Sequence, residues 1–246
     1  MRQRLSRAVA GGLLLVGVGL AVGLATSTAT TRQGVNFEVT TYRIPLYAKG
    51  IDFFHRHFQY ELLARQITRG LPSDRERVLA VYEWTRRRVR TRPRGFPIVD
   101  DHVLDIIIRG YGEADQMADV FTTLSTYAGV PAFWRSVHPP SGRGADLVLA
   151  FASIDGRWAV FDVVHGYVFT RADGTLASVE ELAADPALVS ATAGETRMSE
   201  RPYAAYLASA VPLEVPRPLR AELQKPWSRL WHEVRRRLNL VRAHEA

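Results

Sequence analysis

No cysteine occurs in the 246 residues of this chain. Its absence excludes disulfides, thiolate nucleophiles and Cys-ligated zinc or iron–sulfur sites together. It also leaves the redox compartment unread, because a cysteine-free chain suits reducing and oxidising surroundings equally. Internal repeats, a P-loop and the Rossmann glycine pattern are missing as well, and no HExxH-type spacing is present. No cofactor and no metal is therefore expected. One-sided charge is lacking too, once the net +7 is divided along the chain. Arg2, Arg4 and Arg7 carry +3, and from Arg217 onward eight basic residues against Glu222, Glu233 and Glu245 carry +5, which leaves −1 for everything between. A near-neutral body with two basic ends is not the electropositive face of a nucleic-acid-binding domain. Attraction to an anionic membrane surface explains both ends better.

A hydrophobic share of 47% with 10% aromatics supports one well-packed domain with appendages. The longest apolar run, "AVAGGLLLVGVGLAVGLA" from Ala8 to Ala25, carries no charge and follows the basic leader "MRQRLSR". At about 1.5 Å of helical rise per residue, a run of this length spans a hydrocarbon core of about 30 Å. The reading favoured is an uncleaved anchor within residues 1–31. Its leader would be cytoplasmic, and the remainder would lie on the periplasmic or extracellular side of a single-pass inner or plasma membrane. A signal peptide processed near the small residues Ala25 to Ala29 is the competing reading. Gly19 and Gly23 form a GxxxG pair, a weak helix-pairing signal.

Residues 32–61 read as a linker with extended stretches such as "VNFEVTTYRIPLY" and a first helix, "IDFFHRHFQYELLARQITRG", closed by Gly70. His55 and His57 point to different faces of that helix, which argues against a shared metal site. A capping box, Ser73 with Glu76, opens a second helix whose inner face is Val78, Val81, Tyr82, Thr85 and Val89. The arginines from Arg86 to Arg94 read as a solvated helix end, with an acidic polymer as the functional alternative.

In "GYGEADQMADVFTTLSTYAGVPAFW" the glycines 110 and 112 make a permissive turn and Asp115 sits near a helix start. Met117, Val120, Phe121, Leu124 and Ala128 repeat at helical spacing until Gly129 and Pro131. Two β-type runs then flank Asp155-Gly156, a hairpin signal. An α+β domain with a helix laid on an antiparallel sheet follows. Farther on, "SERPYAAYLASAVPLEVPRPL" reads as a proline-containing exit from the core. Trp227, Leu230, Trp231, Val234, Leu238 and Val241 form one face of a basic amphipathic helix over the last stretch. The expected division is an anchor over 1–31, linker and first helix over 32–61, the domain over 62–200, and linker plus terminal helix over 201–246.

The ordered series "DRERVLAVYEWTRRRVR", "GYGEADQMADVFTTLSTYAGVPA" and "DLVLAFASIDGRWAVFD" resembles the transglutaminase-like superfamily, whose core is shared with papain-type peptidases. The resemblance covers about Leu62 to Gly166. It implies a Cys at the start of the central helix, a His on a strand, and an Asp on the next strand that orients the His. Chemically, the helix N-terminus lowers the thiol pKa, the imidazole takes its proton and the carboxylate fixes the tautomer. Here the Cys position falls on Ala114 and the His position on Leu147, or on Asp146 with a register slip of one. Only Asp162 matches.

The expectation is a membrane-anchored, catalytically degenerate transglutaminase-like protein that binds or assembles, in a setting such as cell-envelope polysaccharide production or export. The old cleft would hold an extended glycan or peptide polymer between "GFPIVDDH" and Trp134. Its candidate pocket is Asp101, His102, Tyr111, Asp115, Gln116, Trp134 and Asp162. Phe96, Tyr111, Phe133 and Trp134, interleaved with Arg94, Arg109 and Arg135, would favour a neutral or anionic ligand. The alternative is a hydrolase or transferase with a repurposed Asp/His site drawn from Asp100, Asp101, His102, Asp115, His138, Asp162 and His165. A further option is docking of the terminal helix on a membrane-protein partner.

Overall fold

The near-continuous apolar run from Leu147 to Ile154 dictates a sheet that must be covered on both faces, and the computed structural model shows that cover. Residues 2–139, 144–198 and 201–238 are described. In chain order they form α1 (Arg2–Thr26), β1 (Thr28–Val35), β2 (Glu38–Pro45), α2 (Leu46–Ile67), α3 (Asp74–Arg88), β3 (Arg90–Thr91), β4 (Val99–Asp100), α4 (Val103–Arg109), β5 (Tyr111–Gly112) and α5 (Ala114–Tyr127). There follow β6 (Ala132–Val137), β7 (Leu147–Ile154), β8 (Arg157–Asp162), β9 (Tyr167–Val168), α6 (Val179–Ala184), α7 (Pro186–Ala193), α8 (Tyr203–Ser209) and α9 (Pro226–Arg237).

The central sheet is an antiparallel meander in the order β6-β7-β8-β9. Successive strand residues point to opposite faces. On β7, Ala150, Ala152 and Ile154 pack with Phe121 and Leu124 of α5. Leu147, Leu149 and Phe151 pack instead with Tyr206 and Leu207 of α8. On β8, Ala159 and Phe161 belong to the α5 side and Val160 to the other. The expected α+β architecture, a central helix on an antiparallel sheet, is thus present.

Local signals account for the elements around it. Ser73 and Glu76 make the reciprocal capping box of α3. Asp155 and Gly156 both take positive φ, 51° and 76°, which the tight β7–β8 turn requires. From Met117 to Thr126 α5 is buried on every face, and it ends where Gly129 turns to φ 90°.

Two segments differ from the sequence reading. The stretch read as linker pairs with itself as the hairpin β1–β2, register Thr28↔Pro45 to Val35↔Glu38, around Asn36 and Phe37 in positive φ. Its threonines and tyrosine suit a strand, and β4 pairs with β1 to tie it to the domain. The stretch read as a proline-containing exit holds α8, whose Tyr203, Tyr206 and Leu207 are buried. The second core cluster is built on them, so the packed unit extends past residue 200. At the other end α2 contributes Tyr60 and Ala64 to the core.

Along α1, Leu13, Leu14, Leu15, Val16, Leu20 and Val22 are exposed. Among the described residues no helix is long and apolar enough to cross a membrane. The terminal helix is described through Leu238; Val241 lies outside the described residues.

Candidate functional site

The head of α5 is assembled by a short parallel pairing. Residues Arg90 and Thr91 of β3 pair with Tyr111 and Gly112 of β5, which brings the end of α3 beside the start of α5. Gly110 caps α4 in the left-handed region, φ 78°. At Gly112 a Cβ would lie 3.0 Å from Cβ of Gln116, so this close approach needs glycine. The N-cap of α5 is Glu113, not Asp115. Glu113 and Gln116 form a capping box, and Ala114 is the first helical residue. Arg92 pairs with Glu113. Gln116 donates from Nε2 to the carbonyl of Val99 at 2.5 Å and accepts at Oε1 from the Glu113 backbone at 3.1 Å.

Around this head lies a cleft of about 590 Å³ lined by Gly34, Phe37, Arg92, Asp100, Glu113 and Asp115, among others. That is the size of a small-ligand site. Three carboxylates face one guanidinium in that lining, a balance that disfavours an anionic ligand. Behind it Arg109 pairs with Asp101 at 2.5 Å, reaches Gln116 Oε1 at 3.4 Å and lies 5.0 Å over the Tyr111 ring. Asp101 Oδ1 is buried without a partner. Burial pushes the Asp101 carboxyl up against the pull of Arg109. His102 occupies the N-cap of α4, and burial with the nearby Arg56 pushes its imidazole down.

Trp134 is elsewhere. Its Nε1 donates to Asp119 Oδ1 at 2.6 Å, while Arg220 pairs with Oδ2 at 2.9 Å. These groups line a separate cavity of about 380 Å³ with Phe133 and His232. One cleft running from "GFPIVDDH" to Trp134 is therefore not formed: Ile98 and Asp100 line the first cavity and Trp134 the second. Phe133 is buried in the α6–α8 cluster, so the interleaved aromatics and arginines do not make one surface either. β-strand parity sends the neighbours 133 and 134 to opposite faces.

Asp162 belongs to a third group. Its side chain is fully buried; Oδ2 accepts from Tyr203 Oη at 2.5 Å and lies 2.8 Å from His165 Nδ1, while Oδ1 accepts from the His165 backbone at 2.8 Å. The hydrogen bond to Asp162 holds the His165 imidazole above its usual range, against burial. Neither Tyr203 nor this pairing was read from the sequence. The spacing Asp162-x-x-His165 closing on Gly166 was the available signal; Tyr203 lies 41 residues on and was assigned to a linker.

The resemblance places the triad at Ala114, Leu147 and Asp162. Ala114 stands at the head of α5; Leu147 is packed among the α6–α8 residues; Asp162 is engaged by His165 and Tyr203. At the slipped register, Asp146 pairs with His138 at 2.7 Å on the protein surface. Among the described residues no group of three or more His, Asp or Glu side chains could hold a metal ion.

Residues 61–163 match the family model described as the transglutaminase-like superfamily. Among solved structures, a candidate protease from Parabacteroides distasonis ATCC 8503 is similar at 13% identity and TM-score 0.36, over 56% of this chain and 36% of that one. A candidate cysteine protease from Cytophaga hutchinsonii is similar at 16% identity and TM-score 0.38, over 56% and 53%. A protein named as a TGase is similar at 13% and 0.32, over 59% and 46%. The chain thus spans about a third to a half of the solved chains it matches. No curated protein matches.

Proposed function

We propose that the protein, whose residues 61–163 match the model of the transglutaminase-like superfamily, is a catalytically silent member that uses the cleft at the head of α5 to bind rather than to transfer acyl groups. One observation carries the reading. The position at which the family's nucleophile is expected is Ala114, a side chain with no atom that can attack a carbonyl. The strand position for the base is Leu147, a buried hydrocarbon. The cleft beside Ala114 is lined by Glu113, Asp115 and Gln116 of the helix head and by Gly34, Phe37 and Val39 of the β1–β2 hairpin.

The ligand proposed is an extended, neutral polymer segment, a glycan or a peptide, of the kind handled during assembly or export of the cell envelope. Phe37, 83% exposed at the cleft edge, offers a ring face to a sugar or side chain, and Asp100 and Asp115 offer acceptors to hydroxyl or amide groups. In this reading α1 is an uncleaved anchor with its leader in the cytoplasm, and the domain lies on the periplasmic or extracellular side. The exposed apolar surface of α1 and its basic leader support that placement.

Calorimetry of the full chain in detergent against neutral envelope glycans and peptidoglycan fragments, with product analysis of the same samples, tests this function. Saturable binding without product, weakened at least tenfold by Phe37→Ala with Asp100→Ala, is the expected result. Turnover, or absence of any binding, overturns it. A second reading is favoured by the Asp162–His165 pair: a repurposed hydrolase or transferase. It requires product formation that disappears in His165→Gln.

A further inference from the structure

Two helices carry apolar stripes that the fold leaves uncovered. On α2, Tyr47, Ile51, Phe54, Phe58 and Leu62 recur at helical spacing and are exposed, Ile51 at 67%, while Tyr60 and Ala64 of the same helix are buried. On α9, Trp227, Leu230, Trp231, Val234 and Leu238 share one face and are exposed, Trp227 at 81%. The two helices are neighbours. The base of α9 is fastened to the core: Lys225 Nζ donates to the Thr126 carbonyl at 3.0 Å, and Tyr127 Oη donates to the Gln224 carbonyl at 2.9 Å. At the opposite end of α2, the Leu46 backbone N–H donates to the Ser27 carbonyl at 2.9 Å, so α2 begins where α1 ends.

The geometry points to an anionic lipid surface as the occupant of both stripes, with α2 and α9 lying in the boundary between headgroups and acyl chains. Charge decides in favour of lipid. From residue 225 to 238, α9 carries Lys225, Arg229, Arg235, Arg236 and Arg237 against the single carboxylate of Glu233. On α2, Lys49, Arg56 and Arg65 stand against Asp52 and Glu61, and Arg69 follows just past its end, with Arg65 and Arg69 exposed. A second copy of this chain would bring the basic α9 against like charge, whereas acidic headgroups supply the opposite sign along α9 and past the end of α2. The Arg235 guanidinium lies 5.0 Å from the Trp231 ring, an indole with its cation beside it, which suits a side chain that is half in hydrocarbon and half in water. Basic helices with tryptophan on the apolar face lie in the interface plane in this way. The inference rests on the anchored reading of α1, since α1 would bring the start of α2 to the bilayer.

The absence of cysteine makes the test clean, because a single introduced cysteine takes the only label. Phe58→Cys, Leu230→Cys and, as a solvent control on an exposed loop, Ala172→Cys are labelled with nitroxide in the full chain. They are reconstituted in phosphatidylcholine vesicles with or without phosphatidylglycerol. Accessibility to oxygen and to a water-soluble nickel chelate is read by power saturation. In anionic vesicles the labels at 58 and 230 should be open to oxygen and shielded from the chelate, while the label at 172 stays open to the chelate. Removing the charges with Arg235→Gln, Arg236→Gln and Arg237→Gln should expose the label at 230, with roughly a fivefold fall in its docked population per charge. Chelate access at 58 and 230 in anionic vesicles would overturn the proposal. So would shielding from both probes in neutral and anionic vesicles alike, which is the signature of a protein partner or a second copy. An alkaline carbonate wash reads the anchor separately: release of the chain defeats the anchored reading whatever the labels report.

Discussion

Tyr203 donates its hydroxyl to Oδ2 of Asp162 across 2.5 Å, and both residues are sealed from water, at 2% and 0% exposure. Burial and the Asp162 charge push the Tyr203 hydroxyl far up, so it remains a donor. The hydrogen bond is a buried fastening between β8 and α8. Tyr203→Phe should lower the unfolding free energy by about 1.5–3 kcal/mol, the cost of removing a hydrogen bond to a charged group. Urea titration followed by tryptophan fluorescence measures it; a change within error would mean that the contact contributes no net stability.

His165 should make stability pH-dependent. Its folded pKa is raised by Asp162. The contribution is then complete below the unfolded value of about 6.5 and is lost as pH rises through the folded pKa. The advantage of the native chain over His165→Gln should therefore shrink as pH rises above about 6.5 in paired urea titrations. An advantage that grows toward alkaline pH contradicts the assignment.

Asp119 has the opposite character. Burial raises its carboxyl, only partly offset by Arg220 and by the Trp134 indole. An acid with a raised folded pKa is stabilising in its protonated form and loses ground as pH rises. Asp119→Asn keeps an acceptor for Trp134 Nε1 and should be neutral or stabilising at pH 7. Asp119→Ala leaves that N–H without its partner and should cost about 1–3 kcal/mol. Thermal unfolding of the two variants side by side decides it; equal losses would show that the charge itself, not the acceptor, holds the site.

Ala114→Cys places a lone thiol on the first residue of α5, where iodoacetamide should alkylate it once per chain. No acyl transfer should follow, because Leu147 supplies no base. Adding Leu147→His should not restore it either, since position 147 packs with the α6–α8 cluster. A burst of acyl-enzyme on peptide esters from either variant would disprove the idea that the three positions no longer act together.

Much of the fold was legible because its signals are local. The Ser73–Glu76 capping box and the Asp155-Gly156 turn each depend on residues within a few positions of one another and formed as read, whereas α5, read from its periodicity as buried on one face, is buried on every face from Met117 to Thr126. The absence of cysteine and the alanine at position 114 likewise needed no structure to remove thiol chemistry. What required the tertiary structure was every relation between distant segments. Asp162 meets Tyr203 because α8 covers the sheet's second face, and the proline-rich surroundings of that short helix hid it. Ile98 and Asp100 come to rest beside the head of α5, while Trp134, held by Asp119, lines another cavity together with Phe133, a separation that no local signal carries. The apolar periodicity of α2 and α9 could be counted from the chain. Which stripe would be covered by the core and which left facing outward depended on where α5 and the C-terminal segment came to rest, because burial is a property of packing and not of spacing.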